Sequence, residues 1–301
     1  MKVLFTGIDR LGSWEMRAEQ MAATRPDWKA LPHAIRQDAE GMDVVVIVKS
    51  IRPESLAELK MWGGPLVYDA LDFWRQRRKR FWRRSRKYRQ KDVADARAMA
   101  LPYFERVDPD LILCPTRAMA EDIAPLGWKT QLLYHHHDPR MVDNVPPAGK
   151  RRRVVYHGRS KHLGWWLTAV RLSCFIHGAD FVVSNGPQPA PAHVLFTARV
   201  AQPWVSRRWK SNIKAAVALR LGLPFVAWPE AGYVETHPGA FWFTNILEMH
   251  RAIGKALSTE PTAPDDRFAV EACATELEII LSELIHDRVD RPAAEIEAVR
   301  P

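Results

Sequence analysis

The sequence predicts an α/β fold built as two successive halves, and three stretches carry that reading. Residues 43–49 (DVVVIVK) form a continuous β-branched run of the kind a parallel sheet buries on both faces. Residues 212–228 read as a helix, then Gly222-Leu223-Pro224, then an apolar strand. There Gly suits the left-handed position after a helix and Pro forbids its continuation. Residues 145–153 (VPPAGKRRR) are Pro-rich and then basic, which marks a break between halves of similar size. With 301 residues, 47% hydrophobic and 26% charged, the chain is long enough for two domains. The expected division is residues 1–147, residues 148–286 and a loose tail over 287–301.

Composition excludes some classes. No apolar run reaches the roughly 18 to 20 residues of a membrane-spanning helix. The opening MKVLFTGIDRLG has too short an apolar stretch for a signal peptide and reads as a first strand. Cys114, Cys174 and Cys273 lie far apart, with neither metal spacing nor a disulfide framework, so a reducing, cytoplasmic setting is expected. The net charge is +9, but residues 75–91 hold eleven Lys and Arg and no acid, leaving 33 basic against 35 acidic residues elsewhere.

In the first half, strands are expected over 2–6, 43–49, 66–69, 107–114 and 130–134 from their apolar runs. Helices are expected over 13–21, with Ser13 as N-cap, over 53–61, and from a Thr116 cap to about Gly127. Gly7 and Gly12 do not make the dinucleotide G-x-G-x-x-G spacing. Asp69 and Asp72 follow a parallel strand, where carboxylates point into the ligand crevice, and are the candidate catalytic residues; Asp72 could equally cap a helix.

Residues 73–91 (FWRQRRKRFWRRSRKYRQK) lack Gly and Pro and repeat aromatics at heptad spacing, which predicts a helix with one aromatic stripe. Without acids, no i to i+4 pairs relieve its self-repulsion, so a polyanion is the expected partner. The candidate contacts are Arg77, Arg78, Arg80, Arg83, Arg84, Arg86 and Lys87, to nucleic acid phosphates or anionic lipid headgroups. His135, His136 and His137 are consecutive; on an extended chain they point to alternate sides and cannot all ligate one ion, so no metal site is expected.

In the second half, strands are expected over 153–156, 179–184, 193–196, 225–228 and 241–243, and helices over 167–176, 212–221, 246–257 and 268–286. At the start of the 212–221 helix, Ser211, Asn212 and Lys214 place hydroxyl, amide and ammonium beside free backbone N–H groups, an anion site.

The order of polar loop, helix, Gly222-Leu223-Pro224, strand and a turn ending in Glu235 resembles the nucleotide-sugar-binding segment of GT-B fold glycosyltransferases of the retaining superfamily. Residues 153–164 (RVVYHGRSKHLG) resemble the start of that superfamily's second domain. The resemblance spans most of the chain and implies two Rossmann-like domains facing a cleft. It implies that Gly158, Arg159 and Lys161 neutralise a donor diphosphate, with Ser184, Asn185 and Glu235 also on the donor side. Gly12, Ser13, His137 and Asp138 would line the acceptor side, and the last helix would return to the first domain.

One departure stands out. The two Glu that such proteins carry eight positions apart correspond here to Trp209 and Val217. The implied activity is glycosyl transfer from a nucleotide-diphosphate sugar, with no metal or other cofactor. Residues 73–91 make the expected acceptor polyanionic or polyanion-associated, either modified DNA or a membrane or surface glycan. The alternatives are a non-catalytic GT-B-like protein that binds nucleic acid or an acidic partner, and an epimerase of nucleotide sugars.

Overall fold

The computed structural model describes residues 1–9, 12–71, 86–146, 149, 151–186, 188–199 and 207–289, with no side-chain description for residues 86–92 and 289. Its strands assemble into two all-parallel sheets. The first contains β1 (Val3–Gly7), β2 (Trp28–Ala30), β3 (Val44–Val48), β4 (Leu66–Asp69), β5 (Leu111–Cys114) and β6 (Thr130–Leu132), in the order β2-β1-β3-β4-β5-β6. The second contains β7 (Arg153–His157), β8 (Asp180–Ser184), β9 (Val194–Thr197), β10 (Phe225–Ala227) and β11 (Phe241–Trp242), in the order β11-β10-β9-β7-β8. Counted from its own first strand, each sheet begins 2-1-3-4-5, so each has a switch point beside its first strand. Ligands of open α/β sheets bind beyond the strand ends at such a point.

The central strands β1, β3, β4 and β5 are buried at every residue, which explains why their apolar runs do not alternate. Helices cover both faces. In the first half these are α1 (Gly12–Trp14), α2 (Arg36–Ala39), α3 (Pro53–Trp62), α4 (Arg86–Val107) and α5 (Arg117–Ile123). In the second half they are α6 (Trp166–Ile176), α7 (Ile213–Arg220), α8 (Ala231–Thr236), α9 (Ile246–Leu257) and α10 (Val270–Val289). The last of these crosses back: Cys273, Ala274, Leu277, Leu281 and Leu284 share one apolar cluster with Val3, Phe5 and Val46.

Several local expectations hold. The Thr116 side chain caps α5 by accepting from Met119 N at 3.0 Å. Gly222 ends α7 at φ +61°, where an added Cβ would stand 2.1 Å from the Thr262 carbonyl oxygen. Others are corrected. The helix expected from Ser13 begins at Gly12, so Ser13 lies inside it, and it runs into a π-helical stretch over Glu15–Gln20. The strand expected from residue 107 starts at Leu111, because α4 continues to Val107 before Asp108 turns at φ +50°. The helix expected to stop at residue 286 continues to Val289. Strand β2 is only three residues long with Lys29 at its centre, too short for a periodicity to show.

Candidate active site

A cleft of about 450 Å³ opens between the two sheets and is lined by residues from both. That is within the size range of small-molecule sites. Gly12, Glu15 and Met16 enter it from the first helix, and Asp138 and Arg140 from the segment after β6. The second half contributes His157 from the end of β7, Gly186 from the loop after β8, and Ile213, Lys214 and Val217 from α7. The wall formed by Glu15 and Met16 belongs to the π-helical stretch, a distortion that recurs at functional sites.

On the side of the second half, the first residues of α7, Ile213 and Lys214, face the cleft. The opening N–H groups of a helix have no partner within it and carry its positive end. The Lys214 ammonium stands 4.0 Å from the centre of the Tyr156 ring. Burial, then the nearby Arg199 guanidinium, holds the Lys214 pKa well below the ordinary lysine range, while Glu230 opposes the shift. His157 is lowered to about 4, by burial first and Lys214 second. Arg199 pairs with the buried Glu230 at 2.9 Å. This end of the cleft therefore gathers basic groups under partial desolvation, with Glu230 offsetting Arg199.

On the opposite side, Arg140 binds two carboxylates at once. Its Nε and Nη2 donate to the two oxygens of Asp138 at 2.9 and 2.5 Å, and its Nη1 lies 2.7 Å from Glu15. Burial tends to raise the Asp138 pKa, but the bonds from Arg140 outweigh it and hold the carboxyl below its usual range. The cleft thus has a basic wall facing a wall of two ordered carboxylates.

Of the residues singled out from sequence, Gly12, Asp138 and Lys214 line this cleft. Ser13 is half-buried beside Gly12 without lining it. Gly158 adopts φ +139° at the end of β7 and donates its N–H to Ser184 O at 2.8 Å, with Arg159 and Lys161 exposed on the turn that follows. The Ser184 hydroxyl accepts from Ala190 N at 3.1 Å, which shapes the loop on which Asn185 is exposed. Ser211 and Asn212 are buried at the start of α7. Asn212 Oδ1 accepts from His135 N across the domains at 2.7 Å, while its Nδ2 has no partner among the described residues.

Three residues are placed differently from their expected roles. Asp69 is 2% exposed and accepts from Arg17 Nε at 2.7 Å, so its carboxylate is held by a buried cation instead of facing the cleft. His137 is buried, with its N–H on Phe268 O at 3.0 Å. The Glu235 carboxylate accepts from Arg117 N at 2.8 Å and Ala118 N at 3.2 Å, which makes it a cap on α5. Asp72 and Arg77, Arg78, Arg80, Arg83 and Arg84 lie outside the described residues, as do the side chains of Arg86 and Lys87. The three histidines turn apart: His135 Nδ1 faces His136 O, and His136 Nδ1 and Nε2 face His137 O and Met16 O at 2.8 and 2.7 Å.

Glu15, Met16, Arg140, His157, Arg199 and Glu230 were not singled out from sequence. Glu230 carried a usable signal, since it follows β10 at the ligand-binding end of a parallel strand. Trp209, at one of the two positions where an acid was expected, is buried among Phe104, Ile123 and Met119 of the first half. Its Nε1 donates to Asp122 at 2.9 Å. Val217, at the other, offers the cleft an apolar surface.

No protein-family model and no curated protein matches the chain. Solved structures do match in fold. One is assigned as a UDP-N-acetylglucosamine 2-epimerase from Listeria monocytogenes, with TM-score 0.54 and 10% identity over 95% of this chain and 98% of that one. A lipopolysaccharide outer core galactosyltransferase matches at TM-score 0.53 and 11% identity, covering 94% and 100%. An α,α-trehalose-phosphate synthase (UDP-forming) from Burkholderia vietnamiensis matches at TM-score 0.53 and 10% identity, covering 99% and 100%. The fold is GT-B, in a divergent form.

Proposed function

We propose that this protein is a glycosyltransferase that takes a sugar from a nucleotide-diphosphate donor held in the cleft. The observation that carries the reading is Lys214, a partly desolvated ammonium at a helix start, facing the cleft beside Arg199. A diphosphate leaving group gains charge as its glycosidic bond breaks, and preorganised cations and helix N–H groups stabilise that charge. Arg159 and Lys161 are exposed on the turn after β7, and Asn212 Nδ2 offers a buried donor with no partner among the described residues. The acceptor enters past Gly12 toward Glu15 and Asp138, where Glu15 takes the proton of the attacking hydroxyl and Arg140 holds both carboxylates in place.

The eleven basic residues over 75–91 favour an acceptor that is polyanionic or polyanion-associated, modified DNA or a membrane or surface glycan. The free, buried cysteines fit a cytoplasmic setting, and no helix among the described residues is long and apolar enough to cross a membrane. The donor is the only small molecule that the reading requires.

Calorimetric titration with a panel of UDP-, GDP- and ADP-sugars, followed by product analysis, tests the proposal. One donor should bind and turn over, and Lys214→Met should weaken its binding at least about tenfold. No binding by any donor would overturn the reading. The presence of Trp209 and Val217 at the two expected acidic positions favours a second reading, a non-catalytic GT-B-like protein. Binding without any turnover would select it, and a changed sugar released without an acceptor would make the protein an epimerase instead.

A further inference from the structure

Helix α6 buries one face, and its outer face is largely apolar, interrupted by Thr168 and flanked by Arg171. Trp166, Val170, Ser173 and Cys174 pack into the second domain. At 100° per residue, Trp165, Leu172, Phe175 and Ile176 fall within one opposite arc of about 100°. Those four side chains are 45%, 59%, 70% and 62% exposed. Single exposed apolar residues are ordinary, but a contiguous stripe of this kind marks an interaction surface.

Charge identifies the occupant. Residues 144–179 contain seven Lys and Arg and no Asp or Glu. Arg151 and Arg152 pair with Asp180 and Glu260 near the C-terminal end of α6. Arg159, Lys161 and Arg171 are exposed around the stripe, and their side chains make no hydrogen bond or ion pair among the described residues. Trp165 stacks on the buried Trp166 with ring centres 4.0 Å apart, so its indole is held at the cleft end of the stripe as a stiff amphipathic plate. A protein partner of ordinary composition would meet apolar side chains and unpaired cations with mixed charge. An anionic bilayer meets them with acyl chains and phosphates together, and indoles favour that boundary.

We infer that α6 is a membrane-docking helix that seats the second domain on an anionic lipid surface through Trp165, Leu172, Phe175 and Ile176. The stripe begins beside the turn that carries Arg159 and Lys161, so docking brings the mouth of the cleft to the headgroup layer. The inference stands on the surface of α6 alone and does not require any nucleotide to bind.

The test is flotation of the full chain, without nucleotide, on vesicles of phosphatidylcholine with about one third phosphatidylglycerol and on phosphatidylcholine alone. Wild type should float with the anionic vesicles, and the double substitution Phe175→Ser, Ile176→Ser should weaken binding at least about tenfold at an unchanged melting temperature. Since Cys114, Cys174 and Cys273 are buried, Phe175→Cys gives a selectively labelled site. A polarity-sensitive dye there should shift to the blue on anionic vesicles. Unchanged flotation of the double variant would overturn the inference, as would a dye that does not respond. A concentration-dependent dimer dispersed by the same substitutions, without vesicle binding, would assign the stripe to a second copy of the chain and also overturn it.

Discussion

Glu235 of the second domain caps the first turn of α5 in the first, with Oε2 2.8 Å from Arg117 N and Oε1 3.2 Å from Ala118 N. The same carboxylate accepts from the Tyr134 hydroxyl at 3.1 Å, and burial followed by this neighbour pushes the Tyr134 pKa up to about 12. A residue that sequence resemblance assigns to the donor thus tethers one domain to the other. Glu235→Ala should lower unfolding free energy in urea by roughly 0.5–2 kcal/mol while donor affinity changes less than about threefold. Lost affinity at full stability would return Glu235 to the donor site.

The Arg17–Asp69 pair makes a sharper prediction. Removing one partner of a buried ion pair leaves a charge without compensation, which costs about 3–5 kcal/mol. Asp69→Ala should therefore show a large fall in urea midpoint, and the double substitution Asp69→Leu, Arg17→Met should recover much of it. A stable Asp69→Ala protein that has lost only turnover would show that Asp69 acts in catalysis.

Acid should destabilise this fold through its buried histidines. Burial lowers His136 to about 4 and lowers His135 as well, so the folded chain binds fewer protons than the unfolded one between those values and about 6.5. Stability therefore rises with pH across that window and is lost as pH falls through it. His136 alone contributes on the order of 3 kcal/mol to this dependence. Melting temperatures should drop from pH 6.5 to pH 4, and His136→Asn should flatten the slope. A parallel slope in the variant would sink the assignment.

Lys214 should take up a proton when an anion binds. Its pKa is held below the ordinary lysine range, and a diphosphate beside it would raise it by favouring the charged form. Calorimetry in buffers of different ionisation enthalpy should reveal proton uptake that grows as pH rises and disappears in Lys214→Met. Uptake that survives the substitution would place the titrating group elsewhere.

The fold was legible in sequence because its signals are local. The run Val44–Val48 announces a strand covered on both faces, and Gly222 with Pro224 ends one helix and begins the next strand within a few residues. The site was half legible for the opposite reason. Gly12, Asp138 and Lys214 could be found by their places after strands or at a helix start. The pairing of Arg140 with Glu15, or of Arg17 with Asp69, joins side chains that no spacing rule connects. Asp69 is the instructive case. A carboxylate at the end of a parallel strand points toward a crevice by default, and only the fold reveals that Arg17, from the π-helical stretch Glu15–Gln20, has already claimed it.

Trp209 locks the two domains together. The loop that opens α7 is continuous with the second domain, but its indole sits in the apolar core of the first, bonded to Asp122, which Arg208 grips as well at 2.8 and 2.9 Å. A swing of the two domains would have to withdraw that ring and break those bonds together. These contacts tie residues 207–212 to the first domain, so relative movement of the two halves is expected to be costly at this tether. Amide hydrogen exchange should find slow protons over residues 207–212, and Trp209→Ala should speed them.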